Sequence, residues 1–578
     1  MKKIILYIPV FAILIFASCR KDYLDKGPGV DVSEDLIFSS RTEVEKEIAG
    51  LYLEGAPSTL GIHTQIAGTR NARFGTKGAS DEAELGASWA DEQNWNAGGL
   101  NADYLLGTDY RYNQRWLAIR RANIILERID EVPGVDQTYK NQVKGEAKFM
   151  RAISYFEMLK RYGGVPIVDK RLTSADVLST PINRSTIEEV VNFIVKDCDE
   201  AAASLPDAYP AEMKGRAVKG AALMVKAKTL LLAASPLFNT ATPYLDLGEH
   251  NKLICLGNYD AGRWATAAAA AKAVLDWAPA GGVALITDKG VDKNYRYVWE
   301  THDNAELIFV NKAAGARSRN QYPWLGILPA GIYSGYGGTS PTHNFVKMYE
   351  KRNGEPQTWD VNGGNDLNQK YAELDYRFHQ TIMYNGSYLN PQHPVIQTFE
   401  GGAHAADCKG GSWQRKFVPE ALRTNVTAIP NNIIYRLADA YLMYAEALNE
   451  AQGPVAEAYA AVDAIRARSG MPSLLLRKPG ENPLTKEEFR QRVRNERAIE
   501  LAFEENRLWD IMRWMIGEEE GVMRGEMWGI KIYRITGSSE FRYQPYVFET
   551  RSFPRRMYLH PFLRAEVIKG YLVQNPGY

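Results

Sequence analysis

Apolar residues along much of the chain recur at spacings of three and four, the period of a helix with one buried face. Between Asn113 and Gly134 the stripe is Trp116, Ile119, Ala122, Ile125 and Ile129, closed by Pro133-Gly134. Between Tyr139 and Tyr162 it is Val143, Ala147, Met150, Ser154, Met158 and Arg161, stopped by Gly163-Gly164. These two predict an antiparallel helical hairpin. The arrangement repeats. Ser185 reads as an N-cap with Glu188 as its capping-box partner, opening a helix to about Leu205, and Gly215 to Ala234 follows it. Arg263 to Trp277 is a further Ala-rich helix. Asn432 to Ala451 pairs with Pro454 to Ser469 across Gly453-Pro454, and Thr485, with Glu488, caps one long helix reaching about Ile516.

Units of two helices with small residues at close-approach positions (Ala222, Ala227, Ala445, Ala461) have the size and logic of tetratricopeptide-type repeats. The usual Trp-Leu-Gly-Tyr signature of those repeats is absent from these units. The middle differs. From about Gly281 to Pro430 helical periodicity weakens, Gly and Pro become dense, and aromatics are interleaved, among them Tyr322, Trp324, Tyr333, Tyr336, Trp359 and Tyr388. Long irregular stretches inside a compact protein usually serve function. The expected fold is therefore mainly α: a tetratricopeptide-like helix-pair scaffold carrying a large irregular, loop-rich lobe. The expected division is 1–18 signal, 19–40 N-terminus and tether, 41–280 helical repeats, 281–430 loop-rich lobe, and 431–578 helical pairs with a terminal segment.

The N-terminus changes the picture. Lys2 and Lys3 precede an almost unbroken apolar run from Ile4 to Ala17, shorter than the ~20 residues a spanning helix needs. Small residues Ala17 and Ser18 then precede Cys19, as in a signal peptide with a cysteine after the cut. Phe16-Ala17-Ser18-Cys19 resembles a bacterial lipobox, with Phe16 where Leu is usual; by that resemblance Cys19 is lipidated. Such an anchor holds a protein to a membrane without spanning it. The remaining cysteines, Cys198, Cys255 and Cys408, form neither a disulfide framework nor a metal-spaced pair.

Charge excludes one class. The chain carries 69 basic and 69 acidic residues, so no basic excess draws it to nucleic acid. Loss of Lys2 and Lys3 with the leader leaves 67 basic residues against 69 acidic ones. The densest polar cluster is Glu496, Arg497, Glu500, Glu504, Glu505, Arg507, Asp510 and Arg513. Paired carboxylates serve glycoside hydrolysis, but those pairs flank a bond from opposite sides. A row at i, i+4 along one helix does not, and structural ion pairs are the expectation. No G-x-S-x-G, H-E-x-x-H, Walker A loop or C-x-x-C is present. Asp360 to Asp366 (DVNGGND) lacks the terminal acidic ligand of a calcium loop and reads as a turn. No cofactor and no metal are expected.

Binding has better support. Aromatic planes cover the C–H faces of sugars, while short polar side chains meet the hydroxyls. Ala79 to Tyr104 and Gln321 to Asn344 combine both. Trp95, Trp89, Trp324 and Tyr336 are the expected stacking platforms, with Asp81, Asn96 and Arg73 as polar contacts.

Six blocks also carry a family resemblance: RAISYFEMLKRYGGVPIV (151–168), LLLAASPLFN (230–239), YRLADAYLMYAEALNEA (435–451), IRARSGMP (465–472), VRNERAIELAFEENRLWDIMRW (493–514) and the terminal QNPGY (574–578). Together they resemble the SusD/RagB family of nutrient-binding outer-membrane lipoproteins of Bacteroidetes. Leu559 to Leu563 departs from that family's Pro-Ile-Pro-like turn. The resemblance implies a non-enzymatic, lipid-anchored, surface-exposed protein. It implies capture of an oligosaccharide and delivery to a SusC-like TonB-dependent transporter. A peptide-binding member and a helical scaffold that only stabilises the transporter are the alternatives.

Overall fold

The structure is a computed structural model, describing residues 33–57, 76–103, 105, 111–173, 175–176, 182–312, 327–329, 331–333, 335, 337–422, 431–475 and 483–578. Cys19 lies outside them. The scaffold is a run of helices: α1 (Arg41–Gly55), α2 (Tyr112–Arg128), α3 (Gln137–Tyr162), α4 (Ile187–Ser204), α5 (Lys219–Ala234) and α6 (Gly262–Trp277). After the lobe come α7 (Leu437–Gln452), α8 (Ala456–Arg468), α9 (Lys486–Glu500) and α10 (Arg507–Trp514). From α2 to α6 each helix packs on the next, and α6 then packs directly on α7. The loop-rich lobe is thus an insertion, and the helical stack closes behind it. The mainly α fold is as expected.

Small residues permit that close stacking. Ala118, Ala122, Ala147, Ala221, Ala222 and Ala445 are all inaccessible. At Gly220, even a methyl group would lie 2.0 Å from the Trp277 ring that crosses it. One core spans the stack and the C-terminal residues Phe553 to Leu572. A second core fills the lobe around Trp299, Trp413, Tyr349 and Phe378, and borrows Ile499, Phe503 and Ile530 from beyond it.

Three sequence expectations shift. The α4 cap is Thr186, not Ser185: the Thr186 hydroxyl accepts from Glu189 N at 3.3 Å, and Glu189 answers at Thr186 N at 2.7 Å. The segment before α7 is a strand, Ile433–Arg436, not a helical turn. The helix expected from Thr485 to Ile516 keeps its cap, but breaks after Glu500. Phe503 and Glu505 take left-handed φ values of 60° there. The break turns two adjacent carboxylates apart: Glu504 reaches Arg436, while Glu505 accepts from Thr76.

Strands pair antiparallel, and all but the last two are short. β1 (Ala83–Leu85) joins β3 (Thr339–Pro341), and β2 (Leu307–Val310) joins β6 (Ile433–Arg436). β4 (Ile382–Met383) joins β5 (Trp413–Gln414), and β7 (Gly525–Arg534) forms a hairpin with β8 (Phe541–Arg551). Among the described residues, no helix is long and apolar enough to cross a membrane.

Candidate ligand-binding face

The carboxylate row resolves into a buried ion-pair spine. Arg377 meets Glu496 at 2.5 Å and Glu500 at 3.1 Å. Arg436 bridges Glu500 at 2.6 Å, Glu504 at 2.7 Å and Glu306 at 2.8 Å. Arg468 pairs with Glu306 and Glu500, and Lys416 with Glu504. Burial opposes ionisation, yet the facing guanidinium and ammonium groups hold the Glu496, Glu500 and Glu504 carboxyls below the usual range. Every carboxylate here is engaged in cross-links between α7, α8, α9 and the lobe. Asp510 pairs with Arg513 at 2.9 Å as its spacing predicts, but its other partner is Arg497 at 3.0 Å. Arg507 turns instead to Asp81, at 2.6 Å.

That pair removes Asp81 from the ligand-contact list, since its carboxylate is buried against Arg507. Asn96 is buried too: its amide donates to Gly78 O at 3.0 Å and to Glu84 at 3.1 Å. Trp95 is 2% exposed; its indole N–H donates to Ala79 O at 3.1 Å and its ring meets the His560 edge at 5.2 Å. No face of that ring is open to a sugar. These three side chains pin the 76–96 segment to the body. Trp95 and Asn96 lie on a helix of only six residues, Asp91–Asn96, too short to show a periodic stripe. Trp89 differs, at 48% exposure. Arg73, Trp324 and Tyr336 lie outside the described residues.

Beneath Trp95 lies a second buried cluster. Lys77, 1% exposed, has an ammonium without a hydrogen bond, and Glu82, Glu92 and Glu505 are the charges that act on it. Burial pushes the Glu82 carboxyl up to about 8 and raises Glu92 and Glu505. Glu82 Oε1 also accepts from Phe503 N at 2.8 Å, tying the segment to the turn after α9.

The surface around Trp89 is assembled by β1 and β3. Their pairing sets Gly86 against Gly337, where a Cβ on Gly86 would lie 2.0 Å from Gly337 O and 3.1 Å from Asp407. The Trp89 turn therefore borders the lobe loops. The floor is Trp413, fully buried, with Gly338 against its ring and its indole N–H donating to His404 O at 2.8 Å. Tyr333 packs against the same lobe core and is held at a left-handed φ of 49°. Its hydroxyl accepts from Asn390 Nδ2 at 2.9 Å and donates toward Gln392 Oε1 at 2.9 Å. Its ring meets His393 edge-on at 5.2 Å, and His393 meets His404 at 5.7 Å. Asn390 also accepts from the backbone N–H of Gln392 and of His393, which shapes the 390–393 turn. Burial holds both imidazoles below their ordinary pKa, with His393 adding to the effect on His404, so both are neutral at pH 7. Residues 387–407 carried no sequence signal for this role. The one legible cue was Tyr333 itself, in a Gly-rich aromatic stretch.

Asp360 Oδ1 accepts from Asn362 N at 2.8 Å and Gly364 pairs with Tyr543, so the DVNGGND stretch is a turn on the β7–β8 hairpin. Cys198, Cys255 and Cys408 are free thiols.

The SusD family model matches residues 305–578, and a model described as "Starch-binding associating with outer membrane" matches residues 22–231. SusD-like protein P25 of Formosa agariphila is 23% identical over 534 residues, covering 88% of this chain and 89% of its own. A SusD-like protein from Bacteroides fragilis superposes with a TM-score of 0.76 at 26% identity, covering 95% of this chain and 99% of its own. A SusD-like carbohydrate-binding protein from the same species gives a TM-score of 0.70 at 21% identity, over 92% of this chain and 98% of its own, a likeness of fold alone.

Proposed function

The chain belongs to the SusD/RagB family, whose relatives are binding proteins rather than enzymes, and on that premise we propose that it captures a nutrient oligosaccharide at the bacterial surface. In this reading Cys19 carries a lipid that tethers the protein to the outer membrane. The bound glycan passes to a SusC-like TonB-dependent transporter, with no covalent step. One observation carries the sugar assignment: the Tyr333 phenol, the Gln392 amide and neutral His393 are grouped on the lobe, and the segment that β1–β3 pairing ties to that lobe carries an exposed indole, Trp89. Indole and phenol suit the C–H faces of pyranose rings; amide, phenol and imidazole suit hydroxyls. The two neutral imidazoles favour an uncharged glycan over an acidic one. Trp324, Tyr336 and Arg73 stay in the proposal as further ligand contacts on sequence grounds alone.

Affinity electrophoresis and calorimetry against neutral polysaccharides test this. Trp89→Ala and Tyr333→Ala are expected to weaken binding by about tenfold each, or ~1.4 kcal/mol, with folding intact. Retention of short peptides and no glycan would replace the ligand class. Neither ligand, with tight transporter binding, would leave only a scaffold.

A further inference from the structure

We propose that the body has a docking groove for its own N-terminal segment, with Tyr23-Leu24 as the apolar anchor and Asp22 and Asp25 at its basic rim. The groove lies between α2, residues 166–172 and residues 566–571, and encloses about 580 Å³. Trp116, Ile119, Pro166, Val168, Leu172 and Tyr571 give it an apolar lining.

Most polar groups of its wall are already engaged, the buried Tyr112 hydroxyl excepted. Asn123 donates to Val168 O at 3.0 Å and to Lys170 O at 2.9 Å, Arg151 to Asp169 O at 3.0 Å, and Arg120 to Leu172 O at 3.2 Å. The Tyr571 hydroxyl donates to Glu566 at 2.7 Å. A sugar would find few donors or acceptors there, whereas an apolar side chain loses nothing on entering. This separates the groove from the Trp89 face. Of its rim cations, Arg171 is engaged by Glu34 and Glu127 and Lys569 by Glu566, while Arg120 and Lys170, the latter 3.6 Å from Asp176, stand more open. The matching occupant is therefore an apolar anchor whose flanking acids meet Arg120 and Lys170.

The chain itself supplies one. In Asp22-Tyr23-Leu24-Asp25, two apolar residues stand between two carboxylates. The described chain starts at the groove's rim: Ser33 caps the Glu34–Ile37 turn, and the Glu34 carboxylate pairs with Arg171. Leu24 lies nine residues before Ser33, a reach of about 30 Å at ~3.3 Å per residue. Glu34 also lies 3.9 Å from Arg128, and Trp116 is three turns back along α2, about 18 Å at ~1.5 Å per residue. The span is thus within reach. Where Cys19 is lipidated, docking would leave only Arg20 and Lys21 between the anchor and the body, holding the body close to the membrane in one orientation. That consequence rests on the lipoprotein reading; the docking does not.

Hydrogen–deuterium exchange on the chain beginning at Arg20 is the test. Amides of residues 22–26 and 166–172 are expected to exchange at least about tenfold more slowly than in a Tyr23→Ser/Leu24→Ser variant. The groove-side variant Leu172→Asp should release residues 22–26 in the same way. Glycan binding should be unchanged in both, which keeps this test apart from that of the ligand face. Full exchange of residues 22–26 in the unmodified chain overturns the proposal. So does protection that vanishes on dilution, which would assign the groove to a second copy.

Discussion

Two buried polar clusters meet at the turn after α9, and they follow opposite charge logic. In the spine, Glu496, Glu500 and Glu504 face Arg377, Arg436, Arg468 and Lys416, and their carboxyls are held low. In the neighbouring cluster, Glu82, Glu92 and Glu505 act on one ammonium, Lys77; Arg507 also acts on Glu82 and Lys160 on Glu505, yet burial holds all three carboxyls high. Both sites are buried. Burial alone disfavours charge, and in the spine two or more cations on each of these carboxylates outweigh it, whereas Asp375, with Arg377 alone, stays raised. A carboxylate-rich stretch therefore does not reveal its own ionisation; the partners brought from elsewhere in the chain do.

The largest expected effect comes from breaking the spine. Arg436→Met leaves Glu306, Glu500 and Glu504 short of a buried partner. It should cost about 3–5 kcal/mol in urea unfolding. A loss under ~1 kcal/mol would mean that Arg468, Arg377 and Lys416 hold the carboxylates without it.

Next in size is the contrast between the two tryptophans of one segment. Trp95→Ala removes a buried ring and should destabilise by about 3 kcal/mol or more. Trp89→Ala should change stability by no more than ~0.5 kcal/mol while weakening glycan binding. Equal stability losses would contradict their different burial.

A third contrast, gradual rather than all at once, separates the clusters by pH. Glu82 binds its proton more tightly folded than unfolded, so the stability this contributes is complete below the unfolded pKa, near 4.5, and lost as pH rises toward about 8. The slope from this one group is at most about 1.4 kcal/mol per pH unit. Glu500 has the opposite sign: its contribution is present above the unfolded value of 4.5 and lost as pH falls below it. Unfolding measured from pH 3 to 9 should therefore show Glu82→Gln flattening the alkaline limb and Glu500→Gln the acid limb. Identical profiles for the two variants would refute the assigned environments.

Helix periodicity was legible wherever a stripe of apolar residues was long and ended at Gly or Pro, as in α2 and α3. It misled at Thr485–Ile516, where the periodic pattern runs on through a turn whose left-handed residues are neither Gly nor Asn. Around Ala79–Tyr104, aromatics among short polar residues looked like a surface; of the two tryptophans there, Trp89 is on one and Trp95 is not. Trp95, Asp81 and Asn96 were unreadable because their partners, His560, Arg507 and Glu84, include residues hundreds of positions away. Likewise, nothing local to Asn390 announces that it shapes a turn and holds Tyr333.

The sequence by itself determined the helical scaffold, the irregular lobe inserted in it and the family, because periodicity, breakers and contiguous motifs are local properties of the chain. Tertiary structure alone decided which carboxylates are charged and which aromatics face solvent. Ionisation and exposure depend on what packs against a side chain, and here those neighbours arrive through the β1–β3 pairing, the break after α9 and the closure of α6 onto α7.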